Sequence, residues 1–119
     1  MTTQGTQKFS SLFKLRSSQI AAAFTAAQRA GSIEGLRLLH APSDNTQFII
    51  ALTRTIKGGV KRNRLRRRIK AALHTALKEQ GPLPSGIFLC VTYLSAEQKS
   101  YHDILAWLKG VIWKNAKPR

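Results

Sequence analysis

With 119 residues and 43% hydrophobic content, the chain has enough apolar material to bury one core without help from metal or disulfide, which excludes a bare basic tail. Twenty Lys and Arg against five acids leave a net charge of +15 and a pI near 11.3, so the expected partner is a polyanion, nucleic acid ahead of a membrane surface. The lone Cys90 excludes a disulfide scaffold, no apolar run reaches membrane-spanning length, and Met1 is followed by polar residues, all of which point to a cytoplasmic protein.

Residues 1–11 are polar and aperiodic and read as a flexible arm, leaving 12–119 as a single domain. Ser17 or Ser18 can cap a helix whose apolar positions are Ile20, Ala23, Phe24 and Ala27, with Gly31 placed to end it. A short extended piece around Ser32 and Ile33 leads to a strand over Leu36 to His40, and Pro42-Ser43-Asp44-Asn45 has the composition of a turn. Phe48 to Thr53 is apolar on both alternating sets, a pattern that suits a central strand covered on both faces. Gly58-Gly59 then opens a long helix that runs to about Gln80, where Gly81-Pro82 stops it. Ile87 to Tyr93 has the β-branched and aromatic content of a strand. Ser100 with Asp103 resembles a capping box for a closing helix with its apolar stripe on Ile104, Leu105, Leu108, Val111 and Ile112. The order is helix, two or three strands, helix, strand, helix, which gives an α+β fold in the form of a two-layer α/β sandwich.

The function is concentrated in the long helix. Residues 57–70 hold eight Lys and Arg, and no carboxylate lies between Asp44 and Glu79. On a helical wheel Leu65, Ile69, Ala72, Leu73 and Ala76 form the core stripe, and Arg64, Arg67, Ala71 and His74 lie opposite. Asn63 and Lys70 flank that outer side and Arg66 and Arg68 sit at its margins. Arg62 falls near the apolar stripe, so its charge stays solvated only if the first turn projects beyond the core. An outward face of one sign fits phosphate, since a merely solvated helix mixes Glu with Lys.

Protein-based nuclease chemistry needs clustered carboxylates or an acid–base pair. Glu34, Asp44, Glu79, Glu97 and Asp103 are scattered, as are His40, His74 and His102, and Gly58-Gly59 lacks the spacing of a nucleotide loop. Cys90, within an apolar run, reads as a buried structural thiol.

Val60-Lys61-Arg62-Asn63-Arg64-Leu65-Arg66-Arg67-Arg68-Ile69-Lys70 resembles the Arg-Asn-Arg signature helix, Ala-Val-x-Arg-Asn-Arg-x-Lys-Arg-x-x-Arg, of the bacterial ribonuclease P protein subunit. Lys14 to Phe24 is similar to that family's first helix, Leu52 to Ile56 to its Val-Ser-Lys-Lys-Val strand end, and Tyr101 and Leu105 to its closing helix, so that about residues 12–113 are covered. Ile20 stands where the family's Phe-x-x-Val-Phe pattern opens with Phe, Lys57 takes a usual Gly position, and Thr55 replaces the second Lys of the strand-end pair. The resemblance implies a ribosomal protein S5 domain 2-like fold with a left-handed βαβ crossover. It implies a ribonucleoprotein endonuclease that removes the 5′ leader of precursor tRNA, with catalysis and Mg2+ residing in the RNA subunit and no catalytic residue in the protein. Carried over, Lys57, Lys61, Arg62, Asn63, Arg64, Arg66, Arg67, Arg68 and Lys70 would meet the RNA subunit in a 1:1 complex with a protein monomer. Phe13, Arg16, Ile20, Phe24 and Arg54 would line a leader cleft. A structural RNA-binding protein with no part in cleavage is the alternative that charge and periodicity leave open.

Overall fold

The computed structural model describes residues 9–13, 22, 24, 25 and 27–113. Four strands, β1 (Gln28–Ile33), β2 (Leu36–Ala41), β3 (Thr46–Leu52) and β4 (Gly86–Thr92), form one sheet in the order β1-β2-β4-β3. β1–β2 and β2–β4 are antiparallel and β3–β4 is parallel, with Phe48 opposite Phe88 and Ile50 opposite Cys90. A parallel neighbour cannot be reached by a tight turn, and the crossover between them is the long helix α1 (Gly59–Gln80). A second helix, α2 (Tyr101–Leu108), continues as a wider π-helical turn over Lys109–Trp113. Both helices cover the same sheet face, giving the expected two-layer α+β sandwich.

The core forms where three apolar patterns meet. All five stripe residues of α1, Leu65, Ile69, Ala72, Leu73 and Ala76, are fully buried, against Leu36, Leu38, Phe48, Phe88 and Cys90 of the sheet and Ile104, Trp107, Leu108, Ile112 and Trp113 of the closing segment. Leu12, in a 3-10 turn over Phe9–Phe13, completes the cluster. Cys90 is a structural thiol as expected, and burial pushes its pKa up to about 12. The capping box at α2 is present in both directions: the Asp103 N–H donates to Ser100 Oγ, and the Ser100 N–H donates to Asp103 Oδ2, each at 3.1 Å. The Ser100 backbone N–H, and after it the Ser100 hydroxyl, hold the Asp103 carboxyl below the usual carboxylate range. Among the described residues no helix is long and apolar enough to cross a membrane.

Two expectations are corrected. Gly31 does not end a helix; it lies inside β1, which begins at Gln28, and a Cβ there would come within 2.8 Å of Val111 Cγ2. Gln-Arg-Ala-Gly-Ser-Ile carries no alternation of its own and becomes a strand through pairing with β2, across a register shift between Arg29 and Gly31. Of the preceding segment, Ala22, Phe24 and Thr25 are helical, and the proposed caps Ser17 and Ser18 lie outside the described residues. The second correction concerns β3, which is an edge strand, because β4 returns between it and β2. Phe48, Ile50 and Leu52 of β3 pack on the core, while Ile49 and Ala51 on the other set are only half-buried.

Candidate nucleic-acid interface

From β3 the chain turns through Thr53–Lys57 into α1, whose first turn has no side-chain cap. Ile56, only 1% exposed, anchors this connection in the core. Arg62 fastens it from the other side: its Nη1 donates to the carbonyls of Thr53 (3.2 Å) and Ile56 (3.0 Å), and its Nη2 to that of Leu52 (3.4 Å). The wheel position next to the apolar stripe is thus resolved by folding the guanidinium back on the end of β3. Arg68 behaves likewise, its Nη1 donating to Lys99 O at 2.8 Å and more weakly to Glu97 O at 3.4 Å, which holds the 3-10 turn Leu94–Gln98 against α1. Lys61 Nζ lies 3.9 Å from Glu97 Oε1, and Lys70 Nζ sits 4.6 Å from the centre of the Phe13 ring.

Val60, Asn63, Arg64, Arg67, Ala71 and His74 are exposed in one row along the opposite side, as the wheel requires, with Arg66 half-exposed beside it. Among the described residues, none of the hydrogen bonds or ion pairs of α1 engages Arg64, Arg66 or Arg67. Val60, Asn63, Arg64 and Arg67 enclose a shallow depression of about 290 Å3. Lys57 is exposed just ahead of the helix. The nine basic-helix candidates therefore divide. Asn63, Arg64, Arg66, Arg67 and Lys57 face outward with free donors, whereas Arg62 and Arg68 also tie the helix to its own protein, and Lys61 and Lys70 stand between.

The leader-cleft candidates are less gathered. Phe13 is half-buried on the helix-bearing side, edge-on to Phe9 at 5.0 Å and to Phe48 at 6.3 Å, packed against the main core. Phe24 is 39% exposed and Arg54 is exposed in the turn after β3. Arg16 and Ile20 lie outside the described residues. The sheet face turned away from α1 carries half-buried Leu39, Ile49, Ile87 and Val91 around fully buried Leu89, with Arg37 opposite Val91. The Arg37 guanidinium stands 5.9 Å from the centre of the Tyr93 ring. Neither Arg37 nor Tyr93 stood out in the sequence, where each is a single residue in a strand or at its end; only the pairing of β2 with β4 brings them together.

His40 is satisfied within the fold, its Nε2 lying 3.2 Å from the Ser85 carbonyl and its ring packed on Phe88. Among the described residues, no three His, Cys, Asp or Glu side chains gather where they could hold a metal ion.

The ribonuclease P family model matches residues 6–117. The chain belongs to the ribonuclease P family. Among solved structures it is similar to the RNase P protein from Thermotoga maritima, with a TM-score of 0.69 at 16% identity over 88% of this chain and 98% of that one. It is also similar to the RNase P protein of Staphylococcus aureus, with a TM-score of 0.66 at 14% identity over 89% of this chain and 95% of that one. No curated protein sequence matches it. The ribosomal protein S5 domain 2-like class expected from the signature helix is consistent with these ribonuclease P folds.

Proposed function

We propose that this chain is the protein subunit of ribonuclease P, that it binds the catalytic RNA subunit through the outer face of α1, and that it assists removal of the 5′ leader from precursor tRNA. The observation that carries the reading is the outward row of Asn63, Arg64 and Arg67, beside Arg66 and Lys57, on a helix with no acid before Glu79 in a member of this family. Such a row neutralises phosphates and releases counterions on binding. Lys61 and Lys70 extend it, while Arg62 and Arg68 serve it by holding the helix in place.

The leader is proposed to lie over the other sheet face, where the Arg37–Tyr93 pair offers cationic and stacking contacts to single-stranded RNA, with exposed Phe24 and Arg54, and Arg16 and Ile20, as further candidate contacts. Phe13 would support that region from the core side. Mg2+ is assigned to the RNA subunit, together with catalysis. The working form would be a protein monomer with one RNA, in the cytoplasm.

The test is leader cleavage of precursor tRNA by the cognate RNA subunit, with and without the protein, at limiting Mg2+. Faster cleavage with the protein present, and none by rigorously RNA-free protein, is the expected outcome. Tight RNA binding without any change in cleavage would leave a structural RNA-binding protein instead, and specific cleavage by the protein alone would overturn the assignment of catalysis.

A further inference from the structure

The proposed RNA face is not purely electrostatic. Three large apolar side chains are exposed among the described residues, and Val60, at 75%, is further out than Phe24 at 39% or Leu94 at 41%. A single exposed valine is ordinary on a protein surface. What distinguishes this one is its place: it lines the 290 Å3 depression together with Asn63, Arg64 and Arg67, at i+3, i+4 and i+7 along the same helix. A face built only for phosphate gains nothing from an exposed aliphatic side chain among its cations. The volume is at the lower limit for small-ligand sites, about 300 Å3, and admits a planar heterocycle.

We propose that this depression receives a single unstacked adenine of the RNA subunit, its ring against Val60, its edge read by the Asn63 amide, and its flanking phosphates held by Arg64 and Arg67. The amide presents one acceptor and a pair of donors, the complement of the adenine N6 amino group and N7, and Asn is the side chain that makes this bidentate pairing best. Apolar contact on one ring face and guanidinium groups at the rim supply the stacking and cationic components that single-stranded bases exploit. The site adds base recognition to a surface otherwise blind to sequence, and it rests on the reading of α1 as the RNA-binding helix.

The test uses the full chain and the transcribed cognate RNA. Val60→Ser should weaken binding by about tenfold, the scale of one buried valine, with the salt dependence of affinity unchanged because no phosphate contact is lost. Val60 and Asn63 are both exposed, so their substitution leaves the melting temperature in place. In RNA carrying random 7-deazaadenosine, which lacks N7, one adenine should interfere with binding to the wild-type protein and lose that effect with Asn63→Ala. Wild-type affinity in both Val60→Ser and Asn63→Ala would overturn the pocket. An unchanged interference pattern with Asn63→Ala would do so too. If Arg64→Ala and Arg67→Ala still flatten the salt dependence in that case, the RNA-binding reading survives and only the base site falls. If neither does, the reading of α1 falls with it.

Discussion

Arg62 and Arg64 are two residues apart in one signature motif, carry the same charge, and are put to different uses by the fold. Arg62 lies on the flank of α1 that meets the end of β3 and spends its donors on the carbonyls of Leu52, Thr53 and Ile56. Arg64, a little more than half a turn round the helix, faces solvent with Val60 and Arg67. The flank that holds the helix and the row that faces outward are complementary. A cationic row recognises a polyanion of fixed shape only if it is itself fixed, and in a helix without a side-chain cap the Arg62 and Arg68 bonds add to the buried stripe in fixing its first turns against the end of β3 and the 3-10 turn. Charge count alone treats the two sets as one.

The comparison breaks most sharply at Arg62. Arg62→Ala should destabilise the fold by about 2 to 3 kcal/mol, from the loss of several partly buried hydrogen bonds to a charged donor, read in urea or thermal unfolding. Arg62→Lys should recover little, because an ammonium cannot span three carbonyls in the manner of the planar fork. Stability unchanged in Arg62→Ala would mean that the guanidinium belongs with the outward set. Arg68→Ala should cost less, about 1 to 2 kcal/mol, since one good bond at 2.8 Å to Lys99 O dominates its anchoring.

For the outward row the signature reverses. Arg67→Ala should leave stability within about 0.5 kcal/mol, as for other exposed positions, yet lower the slope of log affinity against log salt by about 1. Arg62→Ala, compared at a temperature where it is folded, should change that slope much less. Equal slopes in the two variants would show that both arginines neutralise phosphate and that the division drawn here has no functional meaning.

How far these roles were legible depended on whether their determinants are local. The α1 stripe from Leu65 to Ala76 and the Ser100–Asp103 box lie within a few turns of chain, and periodicity and capping chemistry found both. The role of Arg62 was half-visible: the wheel put it beside the core, but its acceptors lie six to ten residues upstream in a loop whose path depends on β3. Those of Arg68 are 29 and 31 residues downstream, beyond any spacing rule. β1 was read only as an extended piece around Ser32 and Ile33 because its stability comes from β2, and β3 was placed at the centre because apolar residues on both alternating sets resemble those of a strand paired on both sides. The closing stripe drifted for a geometric reason: the π turn at Lys109–Trp113 adds to the residues per turn, which leaves Val111 half-buried and brings Trp113 into the core, its Nε1 donating to Pro82 O at 3.1 Å.

Lys61 gives the finest test, because it sits between the two sets. Its 3.9 Å approach to Glu97 Oε1 is long, and the lysine side chain is 42% exposed, so the pair should contribute under about 0.5 kcal/mol to folding. Glu97 matters more to the outer row than to the fold, as it is the only acid in contact with the first turns of α1 among the described residues. Glu97→Gln should therefore leave the melting temperature nearly unchanged while freeing Lys61 for phosphate, tightening RNA binding by about two- to threefold at low salt. The gain should vanish as ionic strength rises and the Debye length shrinks below about 8 Å. Arg68 donates to the Glu97 backbone carbonyl and not to its carboxylate, so the tether survives this substitution. A loss of stability comparable to that of Arg68→Ala would mean instead that Lys61 belongs to the set that holds the helix, and tighter binding that persists at high salt would point to a contact other than charge.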